Sequence, residues 1–521
     1  MHDILDIMND FCKVLIQVER NGIKIDIDAL DALEKEYTEE YNNLENKLDS
    51  LVREAMGDTP FKLSSNDDLS MIVYSRKPYC KESWAKTFNL GGTVVNGVRK
   101  PKRPAKMCKD ELEKNILDKA HLIYKTKASQ CENCKGGGKV RRLLKSGNYS
   151  DKPSRCKVCN GAGVIYTSTG KIAGFKQAPS SVKDLAVHGY KCSKDKLQDL
   201  AKEAEGDAKE FLTAMVRFNA ITHYLSAFIE GIRKNTGGDG ILHSQFNQCT
   251  TATGRLSSRN PNFHNQPRGG TFPIRRVIVS RWDNGSITEA DYAQLEFRVA
   301  ASLAKDDTAI NDIIDGRDVH QYTADVLTKN GQKTSRQDAK THTFKPLYGG
   351  TSGTKAEKAY YKKFLNRYID IKEWHDKLID LACTHKKLIL PTGREYHFPW
   401  AFRNSFGMAE GATKIKNYPV QGFATADVVP MATVALAKLY TENKLKSLII
   451  NEVHDSIVTD TYPGEEELVA DLKVKAMTGV VEELEDRFGY KFLVPLKVEV
   501  KSGTNWLNME VVKEGESQIM A

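Results

Sequence analysis

The chain of 521 residues is long enough to bury a sizeable core and to divide into several domains or subdomains. Its formal net charge of +9 is mild but uneven: residues 125–171 hold eleven Lys/Arg against two acidic side chains, while 451–490 is acid-rich, a pattern that fits a polyanion partner. No apolar run approaches about 18 residues, no signal-like segment opens the chain, and two CxxC pairs stand among ten cysteines; the expectation is a soluble, intracellular, cytoplasmic protein without a membrane partner, with a metal site rather than a disulfide framework.

Residues 4–51 are predicted helical, with Leu5, Phe11, Val14, Leu15 and Val18 on one face. An Asn21-Gly22 turn and a short strand over 23–25 interrupt them, and Asp28 is the expected cap of the long charged second helix. A turn after Phe61 leads into another capped helix, and the Gly-, Pro- and Lys/Arg-rich residues 91–106 predict a surface loop or hairpin. The cysteine region spans about 128–167, and helix returns over 193–235, ending at Asn235-Thr236-Gly237-Gly238. A polar passage over 250–273 carries Thr-Ala-Thr-Gly-Arg255 and Asn262-Phe-His264-Asn265. Strands are predicted over 276–280 and 286–290, the second running into Asp291. Helices dominate 292–384, a hairpin follows around 388–398, and 424–439 is a long apolar helix. Residues 447–460 read as two strands meeting at a tight turn, with Asp455 at the tip.

Within the helical stretch, Arg336, Lys340, Phe344 and Tyr348 recur every four residues and end at Gly349. On one helix they form a stripe about 18 Å long. Two cations followed by two aromatics suit a triphosphate at one end and a base at the other. The same spacing also describes a solvated basic helix with two core aromatics, and Pro346 predicts a kink or an early end.

Asp291 and Asp455 lie 164 residues apart, so only a fold could join them. Together they could hold Mg²⁺, which prefers a few carboxylates with waters and substrate phosphates; two such ions stabilise both oxygens of an in-line displacement. Taken singly, Asp291 also reads as an N-cap and Asp455 as a turn residue. Cys131-Glu-Asn-Cys134 and Cys156-Lys-Val-Cys159 are each followed by x-Gly-x-Gly. Four thiolates on glycine turns fit one structural Zn²⁺ without an open position, the other reading being free surface cysteines. The surrounding Lys and Arg suit contact with a nucleic-acid backbone or a solvated basic surface.

Three pieces in this order, Asp291-Tyr-x-Gln-x-Glu296-x-Arg298, the Arg336/Lys340/Phe344/Tyr348 helix, and Val453-His454-Asp455, resemble motifs A, B and C of family A (DNA polymerase I-like) DNA polymerases. Flanking segments agree: the Arg255 segment, 262–265, Asp318-Val-His320, and Asn417-Tyr-Pro-Val-Gln421. The resemblance spans nearly the whole chain except about 91–175, and the cysteine knuckles resemble those of chaperone zinc domains.

The resemblance implies a mixed α/β (α+β) right-hand fold of palm, fingers and thumb, with an antiparallel palm sheet and an inserted zinc module. Residues 1–60 would be a helical lead-in, 61–240 the thumb with its zinc insertion at 128–167, 241–310 the first part of the palm, 311–400 the fingers and 401–521 the rest of the palm. The implied function is template-directed addition of deoxynucleotides to a primer 3′-hydroxyl in DNA replication, with primer-template DNA and dNTPs as partners. Asp291 and Asp455 would hold two Mg²⁺, and Arg336, Lys340 and His320 would grip the phosphates. Phe344 would lie beside the sugar, Tyr348 near the templating position, and Glu296 would exclude a ribose 2′-hydroxyl. Arg255 and Gln421 would reach the minor groove, while Arg298, Asn262, His264, Asn265 and His454 would help to place the primer terminus.

Three departures accompany the resemblance. Ser456 follows Asp455 where the family usually has Glu. The chain opens where the family's polymerase region opens, so no proofreading exonuclease is expected in it, and a separate exonuclease or processivity subunit is a possible partner. The zinc insertion interrupts the expected thumb. A short form with such an insertion suggests a bacteriophage or organellar replicase. The rival readings are a single-subunit RNA polymerase, against which Glu296 and the Arg255 segment argue, and an inactive nucleic-acid-binding factor.

Overall fold

The 3-4-4-3 spacing of Ile4, Ile7, Phe11, Leu15 and Val18 makes the buried stripe of helix Ile4–Asn21. Leu5 falls off that stripe and is 62% exposed, contrary to expectation. In the next helix, Ile27–Met56, Asp28 lies inside the first turn; the cap is Asp26, whose Oδ1 accepts from the Ala29 N–H at 2.9 Å. The structure, a computed structural model, describes residues 4–95, 98–141 and 148–518. It divides into two units, Met1–Leu33 with Ser226–Ala521, and Glu34–Leu225, and the division falls inside helices.

The larger unit is built on a five-stranded sheet: β1 (Ser286–Tyr292), β2 (Leu448–Val453), β3 (Ser456–Thr461), β4 (Lys497–Gly503) and β5 (Glu510–Glu516). Its order is β2-β3-β1-β4-β5 and every neighbouring pair is antiparallel. Side chains alternate along β1. Tyr292 points to the helix-covered face, where its hydroxyl donates to the Met477 carbonyl at 2.7 Å. Ile287, Glu289 and Asp291 therefore share the other face.

The expected apolar helix is part of Ala412–Glu442, which widens into a π turn over Phe423–Val428. Among the described residues it alone is long and apolar enough to cross a membrane, and 83% of its most apolar window is buried in this unit. The predicted strand over 276–280 does not form. Ile274, Arg275, Val277 and Ile278 are all buried, which an alternating strand could not achieve, and Ile274–Val277 is a short 3₁₀ turn behind Pro273.

The smaller unit has its own core, in which Tyr74 stacks on Tyr190 at 4.4 Å and Phe175 on Phe211 at 4.5 Å. Its hairpin Gly92–Val95 with Val98–Pro101 matches expectation, residues 96–97 lying outside the described residues. Strands Tyr124–Gln130 and Val164–Ile172 pair as the stem of the cysteine module; residues 142–147 of the expected insertion also lie outside.

Candidate active site and metal centre

The β2–β3 hairpin closes with Val453 paired to Ser456, leaving His454 and Asp455 as a two-residue tip. His454 takes φ 62°, which turns the chain sharply enough for this closure. The β1–β3 register sets Asp291 opposite Ser456, and the Tyr292 N–H donates to the Asp455 carbonyl at 3.2 Å. These backbone bonds bring the two aspartates together, close enough for each carboxyl to act on the other. Burial raises both carboxyls above the usual range, Asp455 and Glu289 pushing Asp291 further, while Arg268 pulls both down. Asp291 Oδ1 is buried and has no hydrogen-bond partner. Two adjacent half-buried carboxyls that cannot both ionise alone, one with a buried, unpartnered oxygen, are a donor set that fits a hard divalent cation.

Helix Leu295–Ala304 begins just beyond Asp291 and carries Glu296 and Phe297 towards the pair. Glu296 Oε1 accepts from Arg255 Nη2 at 3.0 Å, and burial, with Asp455 adding to it, raises the Glu296 carboxyl against the pull of Arg255. His264 and His454 lie with ring centroids 6.1 Å apart. Burial pushes each down to about 4, so both rings are neutral at neutral pH. Asn262 Oδ1 accepts from the His264 and Asn265 N–H groups at 2.9 and 3.2 Å, which commits that oxygen to shaping the turn and leaves Asn265 exposed. Arg298 is buried, its guanidinium donates to the Ala293 carbonyl at 2.8 Å and to that of Pro495, and it lines the same cavity as Asp291.

Ser335 caps helix Arg336–Thr343, which ends before Phe344; the four-residue stripe is thus helical only through Arg336 and Lys340. Arg336 Nε donates to Asp318 Oδ2 at 2.6 Å, and Asp318 also caps helix Val319–Lys329. His320 Nδ1 lies 3.0 Å from Thr343 Oγ1, and burial, then Lys340 and Arg336, lower its pKa. Phe344 packs on Phe297 at 5.6 Å and beside His320 at 5.3 Å, which ties this helix to the carboxylates. Lys340 is exposed, and Tyr348 and Gln421 are half-buried. Three site residues escaped sequence reasoning: Glu289, Arg268 and Arg275 all act electrostatically on Asp291 or its neighbours. For Glu289 the signal was its place two residues before Asp291 on a strand.

In the smaller unit, Cys131, Cys134, Cys156 and Cys159 place their sulfurs within 4.8 Å of one another. Cys131 and Cys156 are 3.9 Å apart and Cys134 and Cys159 3.6 Å, against an edge of about 3.8 Å for tetrahedral Zn²⁺ with bonds of about 2.3 Å. Asn133 Nδ2 donates to Cys156 Sγ and the Gly163 N–H to Cys159 Sγ, each at 3.2 Å, as thiolates would accept. The two knuckles interlock through the Cys131 N–H on the Gly163 carbonyl and the Cys156 N–H on that of Gly138, both 2.9 Å. A Cβ at Gly138 or Gly163 would come within 2.5 or 2.3 Å of the opposite knuckle's carbonyl, and both take positive φ, so glycine is required.

A family model, DNA polymerase family A, matches residues 172–508, beginning after the four cysteines. DNA polymerase I of Bacillus subtilis (strain 168) is 30% identical over 336 residues, covering 61% of this chain and 36% of the relative. The thermostable DNA polymerase I of Thermus aquaticus is 29% identical over 326 residues, 59% of this chain and 37% of the relative. The chain spans little more than a third of the length of these curated relatives. A solved structure of the POL domain of Pol1 from M. smegmatis, in complex with DNA primer-template and dNTP, matches with a TM-score of 0.64 at 19% identity, covering 95% of this chain and 69% of that one. That likeness is one of fold.

Proposed function

The chain belongs to DNA polymerase family A, and on that premise we propose that it copies a template by adding deoxynucleotides to a primer 3′-hydroxyl. The observation that carries this reading is the Asp291–Asp455 pair, brought together by the β1–β3 register and the β2–β3 hairpin, with its buried, unpartnered oxygen. Asp291 and Asp455 hold two Mg²⁺ in this reading; bound there, the ions lower the pKa of the primer hydroxyl and offset charge on the transferred phosphate. Arg336, Lys340 and His320 bind the triphosphate, the first oriented by Asp318 and the last by Thr343. Phe344 lies along the sugar, Tyr348 near the templating position, and Glu296, held by Arg255, excludes a 2′-hydroxyl. Arg255 and Gln421 read minor-groove acceptors common to all base pairs, and His264, His454 and Asn265 line the primer terminus.

In this reading the five-stranded sheet is the palm, residues 311–400 are the fingers, and the smaller unit is the thumb carrying one structural Zn²⁺ on its four cysteines. Primer extension with Mg²⁺ tests the reading. Asp291→Ala and Asp455→Ala should each slow extension about a thousandfold or more while primer-template affinity stays within a few-fold. Near-normal extension by either variant overturns the site, and preference for rNTPs over dNTPs on the same primed template turns the reading to an RNA polymerase.

A further inference from the structure

Ser456 stands directly opposite Asp291 in the β1–β3 register, where a third side chain would face the aspartate pair, yet it offers only a hydroxyl. That hydroxyl lies 2.9 Å from Glu289 Oε1 and 3.1 Å from the Val453 carbonyl, and the nearer, charged carboxylate is the stronger acceptor for its one proton. Glu289 leaves the same sheet face as Asp291, two residues earlier on β1, and its charge acts on the Asp291 carboxyl. The other carboxylate beside Asp291 is Glu499 on β4, but it is ion-paired with Lys501 and 35% exposed. Glu289 is 12% exposed, and Arg275 Nη1 stands 3.9 Å from its Oε2, beyond hydrogen-bond reach. The Arg275 guanidinium instead lies 3.8 Å from the Trp506 ring centroid. Arg275 thus makes only a long ion pair with Glu289 and buried Lys473 acts on it by charge alone, so among the described residues Ser456 is its one side-chain hydrogen-bond donor, which leaves this enclosed carboxylate capacity for a further ligand.

We propose that Glu289, acting through Ser456, is the third carboxylate of this site, a positioning residue that fixes the divalent cations and their water beside Asp291 and Asp455. The carboxylate absent after Asp455 has in effect moved to the neighbouring strand, two residues before Asp291, with the Ser456 hydroxyl bridging the gap. With its proton given to Glu289, the Ser456 oxygen keeps lone pairs free to accept from a cation-bound water. The proposal rests on the polymerase reading of the aspartate pair.

The test uses the full chain and three readouts: Mn²⁺ affinity by electron paramagnetic resonance, the Mg²⁺ concentration for half-maximal primer extension, and thermal unfolding. Glu289→Gln keeps the shape and an acceptor for Ser456 but removes the charge. It should weaken Mn²⁺ binding by about tenfold or more and raise the Mg²⁺ midpoint in parallel, with primer-template affinity unchanged. The exchanged variant Glu289→Ser/Ser456→Glu should bring both values back to within about threefold of wild type, which a merely structural Glu289 would not do. Unchanged Mn²⁺ affinity in Glu289→Gln overturns the proposal and leaves the polymerase reading standing. Failure of a folded exchanged variant to recover also overturns it, even where Glu289→Gln unfolds. A folded wild type that binds no Mn²⁺ overturns both readings together.

Discussion

Glu452 and Glu296 are enclosed carboxylates whose neighbours give them different consequences. Glu452 lies on the helix face of β2 with Thr433 Oγ1 donating to it at 2.6 Å, and burial pushes it up to about 8 against that hydroxyl's opposing effect. Its folded value thus exceeds the unfolded one of about 4.3, so the folded chain binds the extra proton between them. The stability it contributes is complete below about pH 4 and is lost as pH rises towards 8. Glu452→Gln should flatten that dependence, its Tm gaining on wild type by several degrees from pH 5 to pH 8 at about 1–2 °C per kcal/mol for a unit of this size. Scanning calorimetry at three pH values checks this; parallel curves would return Glu452 to an ordinary value. Glu296 has Arg255 at 3.0 Å, so the proposed gate can be tested apart from the residue that would aim it. Glu296→Ala should raise ribonucleotide use relative to deoxynucleotide use, and Arg255→Ala should do so to a smaller degree. Single-nucleotide kinetics with matched dNTP and rNTP measure both ratios, and no change for Glu296→Ala removes the gate.

At the scale of elements, helix Arg336–Thr343 shows both what was legible and what was not. A four-residue repeat placed Arg336 and Lys340 on one helical face, and an alternating apolar run placed Asp455 at a hairpin tip; both follow from local periodicity. The helix nevertheless stops at Thr343, because Pro346 has no N–H and its ring crowds the His342 carbonyl four residues earlier. That carbonyl instead accepts from Lys345 at 3.3 Å. The run over 276–280 looked like a strand from its β-branched residues, but burial of consecutive side chains overrode that preference. The early helix end makes Tyr360 important: its hydroxyl donates to the Thr343 carbonyl and accepts from Thr323 Oγ1, both at 2.9 Å. Tyr360→Phe should cost about 1–2 kcal/mol by leaving the Thr343 carbonyl unpaired. If the helix end holds the triphosphate cations, KM for dNTP should rise more than kcat falls. Loss of stability with unchanged KM would confine Tyr360 to the core.

Over the whole molecule, legibility depended on how far apart in sequence the partners lie. The motifs marked Asp291 and Asp455 separately, but Arg268, Arg275 and Glu289 become part of the site only when β1, β3 and the 3₁₀ turn meet, and no spacing records that meeting. The cysteine module is the opposite case, since all four ligands and both glycine turns fall within 33 residues, from 131 to 163. Its buried side chains form a cluster of little beyond the cysteines themselves, so a bound metal would supply what a core otherwise does. Purified protein should therefore carry one Zn²⁺ per chain, and Cys131→Ser/Cys156→Ser should lose it on metal analysis. The larger unit has its own core and its aspartate pair, so the metal-free variant should still add a single nucleotide at near-normal rate. The eleven Lys/Arg against two acidic residues over 125–171 suit either a duplex backbone or a solvated basic surface, and contact with DNA is the reading put to test. Deleting 128–167 should then shorten the run per binding event and reduce the salt slope of DNA affinity by about 0.9 for each phosphate the module had neutralised. An unchanged slope and run length would leave the zinc in place and move the module's purpose from DNA to a protein partner.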